Sequence, residues 1–145
     1  MFSTLTIIII SQEVLLSQTL NVTQALTFGQ VAYVSSPSTV TVSWNNSRTS
    51  SGAYVKSSSS FTRGIVTFRA SQRRKNVTLT VGNSTLNRVG GGGSLQFTGG
   101  TTSPSGVTIN KNSTTTFYFG GTITLTQSLV AGNYTGSVAL TFNYN

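Results

Sequence analysis

In the segment STVTVSW, Val40, Val42 and Trp44 alternate with Thr39, Thr41 and Ser43, and this two-residue period recurs along the chain. NVTLTVG sets Val77, Leu79 and Val81 against Thr78 and Thr80, and GIVTFRA pairs Ile65 with Thr67 or Val66 with Phe68. Successive side chains of a strand point to opposite faces, so this period gives each segment one face to bury and one to hydrate. GSLQFTGG, SGVTIN and TTTFYFGGTITLTQ continue the pattern. In the last such segment, GNYTGSVALTFNYN, Tyr134, Val138, Leu140, Phe142 and Tyr144 share one face, which predicts a long final strand entered through Gly132.

Turn-forming clusters separate these segments: Ser35-Ser36-Pro37-Ser38, Ser57 to Ser60, Gly90 to Gly93, and Gly99-Gly100 through Ser105-Gly106. Only SQEVLLSQTL has apolar residues near helical spacing, and with no continuation it is expected to be extended. At 145 residues the chain is long enough to bury a core as one domain. Roughly eight to ten short strands, about 8 to 14 residues apart, predict an all-β, immunoglobulin-like β-sandwich, with a closed barrel as the alternative architecture.

The residue inventory removes most chemistry. There is no Cys, no His and no Asp, and Glu13 is the only acid. General acid–base catalysis needs a titratable group tuned to its task, and a nucleophilic Ser needs a base, for which only Lys56, Lys75 and Lys111 are available. Zinc sites need Cys or His, and calcium or magnesium sites need several carboxylates. The expectation is a protein that is not an enzyme, with no cofactor and no metal. Gly90 to Gly93 lack the Lys-Ser/Thr and helix start of a phosphate loop, so they read as a flexible connection.

The most apolar run, Leu5-Thr6-Ile7-Ile8-Ile9-Ile10, lies near the N-terminus. It has no basic residue before it, is followed by Ser11-Gln12-Glu13, and is far shorter than the roughly 20 residues that span a bilayer. It therefore reads as a strand of a mature, secreted product whose signal peptide is not in this numbering. Leu5, Ile7 and Ile9 share one face of a strand about 23 Å long. Burying all three would contribute about 5 to 9 kcal/mol. Left unpaired, such a flat, uncharged edge templates aggregation. It either joins its own sandwich or is donated to a neighbouring subunit, which divides the chain into an extension over 1–12 and a domain over 13–145.

The stretches LTIIII…LNVTQALTFGQV and FYFGGTITLTQSLVAGNYTGSVALTFNYN resemble a family of small secreted bacterial domains of unknown function (DUF4402), similar in turn to chaperone-usher pilins and spore-coat-U-like subunits. The resemblance covers about residues 4–34 and 113–145. Pilins carry a penultimate Tyr and a Gly fourteen residues from the C-terminus, matched here by Tyr144 and Gly132. By this resemblance, Val138, Leu140, Phe142 and Tyr144 line an acceptor groove, and Leu5, Ile7 and Ile9 are the donor residues. A periplasmic chaperone and usher, and identical subunits joined head to tail, would be the partners. Many pilins carry a disulfide, and this chain departs from them in having no cysteine.

Nine Lys and Arg give a formal net charge of +8. Arg69, Arg73, Arg74 and Lys75 cluster in RASQRRKN, read as a hairpin turn. Such a turn keeps a weakly charged surface in solution or contacts an anionic polysaccharide or surface. No motif for specific nucleic-acid recognition appears. The expected function is a pilin-like structural subunit of an extracellular filament, a fimbrium assembled by donor-strand complementation. The second reading is a self-contained secreted module for cell adhesion that binds a polyanion or glycan through its basic turn.

Overall fold

The computed structural model describes residues 3–6 and 18–145. The alternating segments are strands, and no helix occurs among the described residues. In chain order they are β1 (Ser3–Thr6), β2 (Thr19–Gln24), β3 (Thr27–Tyr33), β4 (Ser38–Val42), β5 (Arg48–Ser51), β6 (Ala53–Val55) and β7 (Gly64–Arg69). β8 (Arg74–Val81), β9 (Ser84–Arg88), β10 (Ser94–Ser103), β11 (Val107–Ile109), β12 (Thr114–Leu125), β13 (Asn133–Thr135) and β14 (Leu140–Asn143) follow.

β12 organises a large curled sheet. On one edge it pairs with β10; on the other, residues 114–119 pair with β7 and residues 121–125 with β4. The change of partner falls at Gly120, where a Cβ would lie 2.0 Å from the Val42 carbonyl oxygen, so only glycine lets the backbones approach this closely. From β10 the sheet continues through β9, β13, β1 and β3 to β6, while β2 extends it beyond β7 and β5 beyond β4.

A second sheet has the order β11-β8-β14. Its apolar face packs on the β7 and β12 part of the first. Phe142 stacks on Phe68 at 4.8 Å between ring centroids and meets Phe117 edge-on at 5.1 Å. Phe28, Phe97, Phe117, Phe119 and Tyr134 are fully buried side chains of this core. Each such burial stabilises the fold by about 1.5 to 3 kcal/mol.

The C-terminal segment is two strands rather than the single long one expected. Tyr134 in β13 pairs with Arg88 of β9 in the large sheet, whereas Leu140 to Asn143 of β14 pair with Val81 to Thr78 of β8. Residues 136–139 carry the chain between sheets. A Cβ on Gly136 would lie 2.6 Å from Leu86, and the Ala139 carbonyl accepts from the Gly82 amide at 2.8 Å. The burial alternation survives this break: Tyr134, Val138 and Leu140 are buried, and Phe142 and Tyr144 are half-buried against the core.

RASQRRKN is likewise not a hairpin, because β7 belongs to the large sheet and β8 to the small one. Residues 70–73 are a crossing connection, and residues 110–113 cross back at the same end from β11 to β12. Backbone hydrogen bonds tie the two crossings together, from Asn112 N–H to the Ala70 carbonyl at 2.8 Å and from Ala70 N–H to the Ser113 carbonyl at 3.2 Å.

Candidate strand-exchange site and cationic end

β1 lies inside the large sheet. It runs parallel to β13, with Thr4 opposite Asn133 and Leu5 opposite Tyr134. On its other edge it runs antiparallel to β3, with Ser3, Thr4 and Leu5 opposite Val31, Gln30 and Gly29, and a register shift before Thr6 meets Thr27. Leu5 of the expected donor set thus falls in this slot, while Ile7 and Ile9 lie outside the described residues.

The β3 wall of the slot is fixed by Arg48, which charge counting alone does not distinguish from the other cations. Its Nη1 donates to the Phe28 carbonyl at 2.9 Å and the Ser59 hydroxyl at 3.2 Å, and its Nη2 to the Lys56 carbonyl at 3.1 Å. The guanidinium also lies 4.5 Å from the centroid of Phe61. Gly29 makes room for it: φ is +78°, and a Cβ there would lie 2.6 Å from Arg48 Nη1. Burial lowers the Arg48 pKa from its ordinary, very alkaline value by penalising the charged form.

Of Val138, Leu140, Phe142 and Tyr144, expected as the acceptor side, Leu140 and Phe142 lie in β14 opposite Val81 and Leu79 of β8, while Val138 and Tyr144 lie just outside that strand. β14 is the terminal strand of its sheet, and among the described residues no strand pairs with its outer edge. The Tyr144 hydroxyl exchanges hydrogen bonds with the Gln18 carboxamide at 3.0 and 3.2 Å, and Arg74 lies 4.7 Å from the ring centroid. Gly132 has a local role: a Cβ there would lie 2.5 Å from Arg88 Nε, which donates to the Ala131 carbonyl at 2.8 Å.

Eight of the nine cations, all but Lys56, fall into two groups. Arg48, Arg63, Arg74 and Arg88 are held by carbonyls or aromatic rings; Arg63 donates to the Trp44 carbonyl at 3.0 Å and sits 3.8 Å from the centroid of Tyr118. Arg69, Arg73 and Lys75 are exposed, and the tied crossings bring the exposed Lys111 to the same end. Of the four cations expected to act together, Arg74 is therefore occupied by Tyr144, and Lys111 joins the other three. Lys111 is 36 positions from Lys75 in the sequence, so local charge clustering does not reveal it. A cleft of about 350 Å³ beside them is lined by Gln18, Thr19, Arg69, Ser71 and Asn112.

Curled all-β sheets, an N-terminal strand seated in the sheet interior and one cationic end define the molecule's class. The profile of one family, Domain of unknown function (DUF4402), matches residues 19–144, and the chain belongs to that family. No curated protein and no solved structure matches the chain significantly.

Proposed function

We propose that this protein is a pilin-like structural subunit of an extracellular bacterial filament, secreted before assembly, in which the N-terminal strand of one copy completes a sheet of the next. The observation that carries this reading is the position of β1. It is the first strand of the described chain and four residues long, yet it sits between β13 and β3 in the sheet interior. Its withdrawal would leave two facing edges with unpaired N–H and C=O groups, a template for an incoming strand. The same strand from another copy makes the same ladder, so exchange loses no pairing, and repeated head-to-tail exchange gives a filament.

On this reading the domain over 13–145 is an immunoglobulin-like sandwich and residues 1–12 its donor extension. The outer edge of β14, with which no described strand pairs, suits a second incoming strand lined by Val138, Leu140, Phe142 and Tyr144. A periplasmic chaperone and usher that guard the open edges follow from the resemblance to pilins.

Because the chain has no cysteine, a designed disulfide tests the exchange cleanly. Thr4→Cys and Gln30→Cys sit directly opposite each other, at a separation a disulfide spans. Oxidised assemblies should give a ladder of reducible multimers on a gel, together with filaments by negative-stain microscopy. Cross-linked monomers alone, with no filaments, would overturn the proposal and leave the self-contained adhesive module.

A further inference from the structure

The end of the molecule where residues 70–73 and 110–113 cross between the sheets carries an arrangement that strand exchange does not use. Arg69, Arg73, Lys75 and Lys111 are all exposed there, and no side-chain hydrogen bond, ring contact or ion pair engages them among the described residues. The only acid of the chain, Glu13, lies outside the described residues. The other arginines show how this fold treats a cation with a structural task, by giving it a carbonyl or a ring. Among the described residues these four have neither, and they share one end because two backbone hydrogen bonds fasten one crossing to the other.

Beside them, Arg69 enters the cleft with Gln18, Thr19, Ser71 and Asn112. This is one cation surrounded by hydroxyl and carboxamide groups. Such a lining pairs with an anionic group on a ligand that also carries hydroxyls. Arg73 and Lys111 then lie ready for further anionic groups along the same ligand.

We infer that this end is a binding site for a linear anionic polysaccharide, a sugar chain bearing carboxylate or sulfate groups. Nucleic acid fits less well, because its single strands need aromatic faces for base stacking. Among the described residues, the exposed large apolar side chains, Val34, Trp44, Tyr54, Val89 and Val130, all lie on other segments, and Tyr144 is covered by Arg74. The inference does not rest on the filament reading, since it uses neither β1 nor the outer edge of β14.

Fluorescently labelled heparin, polygalacturonate, neutral dextran and a single-stranded oligonucleotide serve as probes at a series of salt concentrations. The R69Q/K111Q variant should bind the preferred polysaccharide at least about tenfold more weakly, with a salt slope shallower by up to about two units. K56Q/R63Q removes the same charge elsewhere and, once its thermal unfolding shows that it stays folded without the Arg63 contacts, should bind like the parent. R69K/K111R should restore binding, which separates charge from a packing effect. Stronger binding to heparin than to polygalacturonate assigns sulfate, and the reverse assigns carboxylate. Equal losses in both double variants would show that net charge alone attracts the ligand and would overturn the site. Dextran or oligonucleotide binding as tight as that of either polysaccharide would overturn the ligand class.

Discussion

The guanidinium of Arg74 covers the ring of Tyr144 at 4.7 Å, and Gln18 holds the hydroxyl of the same residue. With the Gln18 amide turned to satisfy both partners, its oxygen also accepts from Arg74 Nη2 at 3.0 Å and Nε at 3.2 Å. The entrance to β2, the start of β8 and the penultimate residue of the chain therefore meet in one cluster. Arg74 contributes to cohesion there, while its neighbours in sequence remain exposed.

Tyr144→Phe and Tyr144→Ala separate the two contributions of this cluster. The Phe variant keeps the ring against Arg74 and Phe68, whose centroid is 6.1 Å away, and should lose about 1 kcal/mol through the hydroxyl. The Ala variant removes the ring as well and should lose about 2 to 4 kcal/mol. Urea unfolding midpoints at constant slope check both values.

Gly64 and Phe119 form a tighter pair. A Cβ on Gly64 would lie 2.0 Å from the fully buried Phe119 ring, directly across the β7–β12 ladder. Gly64→Ala should destabilise by about 1 to 3 kcal/mol through overpacking. Adding Phe119→Leu should cost less than the sum of the two single variants, because the smaller side chain relieves the clash. A double-mutant cycle in denaturant measures that coupling.

Arg48→Lys should cost about 1.5 to 3 kcal/mol although the charge is kept. A lysine ammonium cannot reproduce the planar fork that reaches the Phe28 and Lys56 carbonyls while lying against Phe61. Amide exchange should quicken first in β3, the strand that Arg48 braces.

Stability should be flat with pH across the neutral range. The chain has no His and no Cys, so no side chain has its ordinary pKa between about 5 and 8. The lowered Arg48 pKa means that the folded state holds this proton less tightly than the unfolded chain does. Stability therefore rises with pH only through a window far into the alkaline range and is unaffected below it. Unfolding midpoints at about pH 5.5, 7 and 8.5 should agree within about 0.5 kcal/mol.

The strands were readable wherever alternation was uninterrupted. STVTVSW contains β4, NVTLTV lies within β8, and TTTFYFGGTITLTQ contains β12. Burial of Tyr134, Val138 and Leu140 also followed from alternation. What alternation does not encode is which sheet a strand joins. Residues 136–139 preserve the two-residue phase while the backbone crosses between sheets, so β13 and β14 read as one strand. RASQRRKN misled for the same reason, since a crossing connection and a hairpin share small and polar residues. The cationic end was half legible, because Arg69, Arg73 and Lys75 are neighbours in sequence whereas Lys111 arrives through backbone bonds between Ala70 and residues 112–113.

The place of β1 also bears on the order of synthesis. Thr4 precedes its partner Asn133 by almost the whole chain. The first described strand to leave the ribosome is thus among the last to find its seat, since one wall of that seat is still untranslated when the other can form. Closure of such a distant contact is slow. Between translation and closure the polypeptide carries an unseated β1 and an incomplete sheet at the same time, with the facing edges of β13 and β3 open.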